Sequence, residues 1–278
     1  RLAADRLDYS SALAAFTRAL GQAFDLDIAQ DLARLHLSQR NYEPAQHVLD
    51  RILAFAPDNQ LSWALQSLCW RLTGDARYQW LNDYQQHIQA FTLPTPAGYG
   101  TLPDFLAELE AVVLGMHQAQ SAPSRQTLKF GTQTPGRLLH KPHPVIECYK
   151  AALTEVVQGY LSNLPRDDTH PFLRRLPESV SDHFRFSGSW SVKLKPQGFH
   201  VNHVHPEGWV SSACYITLPG SMGQPALESD NAGCIKFGES ALSLGDRDVV
   251  ERVIRPTAGQ LVLFPSYTWH GTYAFDGG

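Results

Sequence analysis

The stretch 199-FHVNHVHPEGW-209 places His200, His203, His205 and Glu207 within eight consecutive residues. Imidazole nitrogen and carboxylate oxygen both suit first-row divalent ions, and three such protein donors leave coordination positions open for a co-substrate and oxygen. In an extended chain, residues two apart point to one side, so His203 and His205 can reach the same ion. Glu207 continues that parity only if the strand persists through Pro206. A third donor must come from elsewhere, and 259-GQLVLFPSYTWHG-271 offers His270 just beyond an apolar run. Two ligand sets follow: His203, His205 and His270, which we favour, or His205, Glu207 and His270. His200, isolated ahead of the motif, reads as a supporting residue.

Bringing His270 back to His205 requires a chain that returns on itself. The segments 189-SWSVKLKP-196, 210-VSSACYIT-217, 233-GCIKFG-238, 249-VVERVIRP-256 and 260-QLVLFPS-266 are short, β-rich and separated by turn residues, the pattern of an all-β sandwich or barrel, here read as a jelly roll. Trp190, Trp209 and Trp269 flank the histidine segments and are expected to wall and dry the pocket.

The first hundred residues have a different period. Aligning 9-YSSALAAFTRAL-20 with 42-YEPAQHVLDRIL-53 superposes Tyr9 on Tyr42, Ala12 on Ala45 and Phe16 on Leu49, a helical repeat. Small residues at 33 and 45 allow close helix approach, and Pro57 closes the unit. A third, degenerate unit carries Trp63 and Trp70 on its first helix, and Gly74 marks the turn before 76-ARYQWLNDYQQHIQAF-91. Two further helices bridge to the β half: Phe105, Leu109, Val112, Val113 and Met116 share one face, and Ile146, Tyr149, Leu153, Val157 and Tyr160 share another, with Pro144 suited to the first turn. The intervening 129-KFGTQTPGRLLHKPHP-144 reads as a solvated loop carrying Arg137, His140 and His143, with a wall or lid of the site as the alternative.

With 278 residues, a formal charge of -4 and a pI near 6.3, the chain lacks the basic footprint of a nucleic-acid binder and has no run long enough to span a membrane. Cys69, Cys148, Cys214 and Cys234 form no C-x-x-C pair and read as free thiols of a cytoplasmic protein.

The segments H-x-H-P-x-G-W, V-S-S-A-x-Y-I-x-L-P, G-x-I-K-F-G and G-x-L-V-L-F-P-S-Y-x-W-H-G resemble those of bacterial 2-oxoglutarate/Fe(II) oxygenases that carry tetratricopeptide repeats ahead of the oxygenase domain. The resemblance implies a multidomain α+β protein: helical repeats over 1–91, a linker and bridging helix over 92–124, and a double-stranded β-helix over 125–278. It further implies Fe(II), 2-oxoglutarate as co-substrate, and hydroxylation of an unassigned substrate, a peptide or protein side chain among the candidates. Most of the wider superfamily has His-x-Asp or His-x-Glu where His203 and His205 stand here. The superfamily's basic residue for the far carboxylate of 2-oxoglutarate is expected beyond Gly278. Within the chain, Lys236 and the hydroxyl of Tyr215 are the candidates for that carboxylate. A repeat array also suggests a protein or peptide partner. The alternatives are a cupin-like metal dioxygenase or isomerase independent of 2-oxoglutarate, and a non-catalytic scaffold or sensor.

Overall fold

The computed structural model describes residues 8–117, 127–179, 184–219 and 231–275. The expected boundary at 124–125 lies outside them.

Helices α1 (Tyr9–Gln22), α2 (Leu26–Ser38), α3 (Tyr42–Phe55) and α4 (Gln60–Thr73) pack as successive antiparallel pairs. Side-chain oxygens start three of them: Asp8 accepts from Ser11 N–H, Asp25 from Ile28 N–H and Asn59 from Ser62 N–H. Ala12, Ala33 and Ala45 are completely buried, in keeping with the small residues expected where the helices meet. Gly74, at φ 73°, ends α4 in the left-handed conformation that glycine adopts without steric cost.

The segment 76–91 does not continue as one helix. It breaks into α5 (Arg77–Leu81), α6 (Tyr84–His87) and the strand β1 (Gln89–Thr92). Asn82 turns its amide onto Ser67 Oγ and the Tyr78 carbonyl, and the Asp83 carboxylate accepts from the amides of Gln85 and Gln86, which restarts the chain in a new direction. β1 then leaves the helical layer and pairs with a strand of the β half.

The bridging helices form where periodicity predicts them, as α7 (Leu102–Gly115) and α8 (Pro144–Asn163), with Pro144 in the first turn. The stretch read as a solvated loop is partly ordered as β2 (Leu128–Gln133), hydrogen-bonded to β3 (Val192–His200). The predicted strand at 189–196 therefore starts later and runs on to His200. The remaining strands are β4 (Val210–Cys214), β5 (Ile235–Phe237), β6 (Arg252–Ile254), β7 (Gln260–Pro265) and β8 (His270–Thr272). All pairings are antiparallel, in the orders β1-β7-β4, β2-β3 and β6-β5-β8.

The two three-stranded sheets share an apolar core in which Ile235 and Phe237 of β5 meet Val262 and Phe264 of β7. β7 is buried on both faces, because Leu261 and Leu263 point the other way into the large cluster of repeat and bridging helices. The α4 helix is buried nearly all round. Its Arg71 donates to the Gly238 and Val249 carbonyls and to Asp248, and Trp269 Nε1 donates to the Ala64 carbonyl. Repeats and β half thus form one packed body, welded along α4.

Candidate metal centre

His203 and His270 face each other across an antiparallel bridge in which each backbone N–H donates to the other's carbonyl, at 2.8 and 3.0 Å. Directly paired residues project to the same side, so the rings stand 4.2 Å apart between centroids. His205 N–H donates to the Ser266 carbonyl, and its ring lies 4.9 Å from His203 and 5.0 Å from His270. One ligand nitrogen from each of the three lies within 4.8 Å of the others.

The glycines of the two motifs make this approach feasible. A Cβ at Gly271 would come within 2.5 Å of Asn202 Oδ1 and 2.9 Å of the His200 carbonyl, and one at Gly208 would collide with Ser266 Oγ. Only a bare backbone lets the end of β3 lie against β8, and the turn after His205 against the end of β7.

His203 Nδ1 sits 2.8 Å from the Val201 carbonyl and His270 Nδ1 2.9 Å from the Thr268 carbonyl. A carbonyl only accepts, so Nδ1 carries the proton in both rings and Nε2 keeps its lone pair for the centre. Burial, and then the neighbouring imidazoles, push His205 and His200 down to about 4; burial also lowers His203, and it drives His270 well below its ordinary value. The cluster is therefore neutral at physiological pH.

Glu207 is exposed in the turn that follows His205 and stands outside the cluster. Pro206 ends the extended run, so the parity that would align Glu207 with His205 is lost. His200 lies behind the cluster, its ring 6.0 Å from His203 and its Nδ1 3.4 Å from Thr127 Oγ1.

Tyr215 and Lys236, both expected near the carboxylate of 2-oxoglutarate, go to different places. Tyr215 extends β4 on the side of Ala213 and packs on the cluster of Val262, Phe264 and Phe237, while Phe264 touches the His270 ring at 4.6 Å. Burial raises its phenol pKa. Lys236 pairs across the sheet with Gly271, whereas its neighbour Phe237 pairs with His270. Strand alternation therefore turns Lys236 away from the histidines, where it forms an ion pair with Glu239 and lies 4.9 Å from the Tyr273 ring centroid. Arg137 and His140 are exposed, and His143 caps α8.

Of the three tryptophans expected to wall the pocket, only Trp190 does so among the described contacts, 6.0 Å from His205. Trp209 points into the helical layer, donating to the Phe172 carbonyl, and Trp269 donates to Ala64 of α4. Sequence reasoning missed Asn202, whose amide holds the Ser240 carbonyl beside the centre, and the Phe237–Phe264 pair behind His270. The apolar alternation of 233-GCIKFG-238 and 260-QLVLFP-265 was the available signal for the phenylalanines; nothing local marked Asn202.

Comparison with known proteins agrees with this geometry. Residues 188–278, which include every residue of the cluster, match the family model described as "Putative 2OG-Fe(II) oxygenase", and residues 3–69 match the tetratricopeptide repeat model. The β half is an oxygenase domain of the 2OG-Fe(II) class. More particularly, the chain joins a tetratricopeptide array to a domain similar to the 2OG-Fe(II) oxygenases, a class that implies Fe(II) and 2-oxoglutarate, and His203, His205 and His270 could bind the iron. A crystal structure of a Pseudomonas putida prolyl-4-hydroxylase is similar at 15% identity and a TM-score of 0.43, covering 71% of this chain and 90% of that one. No curated protein matches the chain. No helix among the described residues is long and apolar enough to cross a membrane.

Proposed function

We propose that His203, His205 and His270 are the Fe(II) ligands of this oxygenase and that it hydroxylates a peptide or protein side chain. The observation that carries the ligand assignment is the convergence of three neutral imidazoles, with ligand nitrogens within 4.8 Å of one another. The donor set fits the ion: Nδ1 of His203 and His270 is held by a carbonyl, so Nε2 is free to ligate, and three protein ligands leave positions for co-substrate and oxygen.

When bound, Fe(II) with 2-oxoglutarate and dioxygen supplies the oxidising power to hydroxylate a C–H bond. The chain's own residues set the stage for it. The paired backbones of His203 and His270 fix two rings before any ligand arrives, and Phe237 and Phe264 pack behind His270 and exclude water from that side. Tyr215, on the same inner face, is our candidate partner for the co-substrate carboxylate; the outward turn of Lys236 argues against a direct role for it. A macromolecular substrate is supported by the repeat array, since tetratricopeptide repeats as a class mediate protein interactions. Four free cysteines support a reducing, cytoplasmic setting.

Iron stoichiometry measured anaerobically on the parent and single variants tests the assignment. Each of His203→Ala, His205→Ala and His270→Ala is expected to lose most of the iron, and Glu207→Ala to retain it. Iron lost from Glu207→Ala but kept in His203→Ala would replace His203 with the carboxylate.

A further inference from the structure

Charge is distributed very unevenly along this chain. Residues 127–144 and 184–200 contain six lysines and arginines and no aspartate or glutamate. The rest, with all 27 acidic residues and 17 of the 23 basic ones, carries a net -10. Both segments converge in the β2–β3 ribbon and its approaches, where Lys129, Arg137, Arg185 and Lys193 are exposed and form no ion pair among the described residues.

The ribbon also presents apolar surface through a strained backbone. At the bulge between its two stretches of pairing, Phe130 (φ 50°) and Gln197 (φ 66°) both adopt the left-handed conformation that non-glycine residues rarely take. A Cβ on Gly131 would meet the Lys193 carbonyl at 2.7 Å, and one on Gly198 the Phe130 carbonyl at 2.7 Å, so the bulge is closely packed. It holds the Phe130 side chain 65% exposed, where burial would ordinarily be favoured. Trp190, 44% exposed, precedes β3.

The ribbon abuts the metal centre at two points. Trp190 lies 6.0 Å from the His205 ring, and His200, which pairs with Leu128 at the ribbon's end, lies 6.0 Å from His203. Its surface therefore leads directly to the reacting position.

We propose that the β2–β3 ribbon is the substrate-docking edge of the oxygenase and that its occupant is an extended acidic peptide segment. Carboxylates of the segment meet Lys129 and Lys193, and an apolar side chain lies on Phe130. The inference rests on the oxygenase reading for its meaning, but the binding surface is independent of the iron. Charge complementarity selects an anion, and length selects a peptide over a nucleic acid. β3 spans about 30 Å at about 3.3 Å per residue, so roughly nine peptide residues fit within the basic strip. A polynucleotide continuing past it would run onto a body of net negative charge.

The test is fluorescence anisotropy with the full chain, free of metal, and three labelled probes: a Glu/Ala peptide of about 12 residues, a matching Lys/Ala peptide, and single-stranded oligouridylate of similar length. The Glu peptide should bind best, and raising salt from about 50 to 300 mM should weaken it severalfold. Lys129→Glu/Lys193→Glu should weaken it about tenfold or more, since two attractions become repulsions. Phe130→Ser should weaken it with little change in salt dependence. Equal binding of the Lys peptide, tighter binding of oligouridylate, or parent-like affinity in the double variant overturns the proposal; the first two need only the unaltered protein. Iron stoichiometry on aliquots of the same preparations loaded anaerobically with Fe(II) separates the two readings: acidic-peptide binding by a chain that takes up no iron sinks the metal assignment and leaves the docking surface standing.

Discussion

Replacing Arg71 by Ala should destabilise the oxygenase domain, although Arg71 belongs to a repeat helix. The Arg71 and Asp248 side chains are 10% and 4% exposed and joined at 3.0 Å, and the same guanidinium donates to the Gly238 and Val249 carbonyls at 2.9 and 3.3 Å. Removing one member of a buried pair typically costs about 3–5 kcal/mol. Asp248 keeps its bonds to Ser240 N–H and Oγ, both 2.7 Å, which places the loss near the lower limit, about 3 kcal/mol. For a chain of this size that is a fall in Tm of about 6–12 °C. The effect should reach the metal centre, since Ser240 in turn accepts from Asn202, the residue before His203. Urea unfolding followed by tryptophan fluorescence and circular dichroism should show one cooperative transition moved to lower urea, and Arg71→Lys should recover less than half the loss, because a point charge cannot reproduce the fork. A loss under about 1 kcal/mol, or a repeat transition separate from an unmoved β transition, would refute the weld along α4.

Four further outcomes follow from the same contacts. Phe264→Ala, at a 1% exposed position behind His270, should cost about 3–5 kcal/mol in chemical denaturation and weaken Fe(II) binding; a variant of parental stability would contradict the packing. Trp269→Phe keeps an aromatic ring but removes the bond to Ala64 and part of the buried indole, so denaturation should register at least about 1 kcal/mol, and no change would contradict that packing. Lys236→Ala should leave the 2-oxoglutarate KM unchanged within about twofold, because the side chain points away from the centre; a large rise would reverse its assigned orientation. His87, pushed down to about 4 by burial and then by His170, binds its proton in the unfolded chain near 6.5 but not in the folded one. Its contribution is thus complete above about pH 6.5 and lost as pH falls toward 4, at up to about 1.4 kcal/mol per pH unit, and His87→Leu should flatten that part of the stability–pH curve.

Much of this molecule is legible in local pattern. The repeat helices follow from a 3.6-residue period with alanines at the crossings, and the β half from short alternating runs. The histidine cluster was accessible because the parity of an extended chain joins His203 to His205 and because His270 follows an apolar run that can return to them; the close approach at Gly208 and Gly271 emerges only in the structure. What escaped depends on partners distant in sequence. The 76–91 segment has helical composition, but β7 needs a neighbour on its free edge, and Gln89–Thr92 supplies it. Trp209 and Trp269 looked like pocket walls because they flank the site segments, yet Trp269 turns to the side opposite its neighbour His270 and donates to Ala64, and Trp209, past the turn after His205, donates to the Phe172 carbonyl. Lys236 failed as an inward residue for the same reason: its register is set by Phe237 opposite His270, which no local signal specifies.

The central claim, an Fe(II) centre that also takes 2-oxoglutarate, is tested most directly by adding 2-oxoglutarate to the anaerobic Fe(II) protein and recording the visible spectrum. A metal-to-ligand charge-transfer band should appear with the parent and Glu207→Ala proteins and be absent from His203→Ala, His205→Ala and His270→Ala. Tightly bound iron that gives no band with any concentration of 2-oxoglutarate would contradict the account.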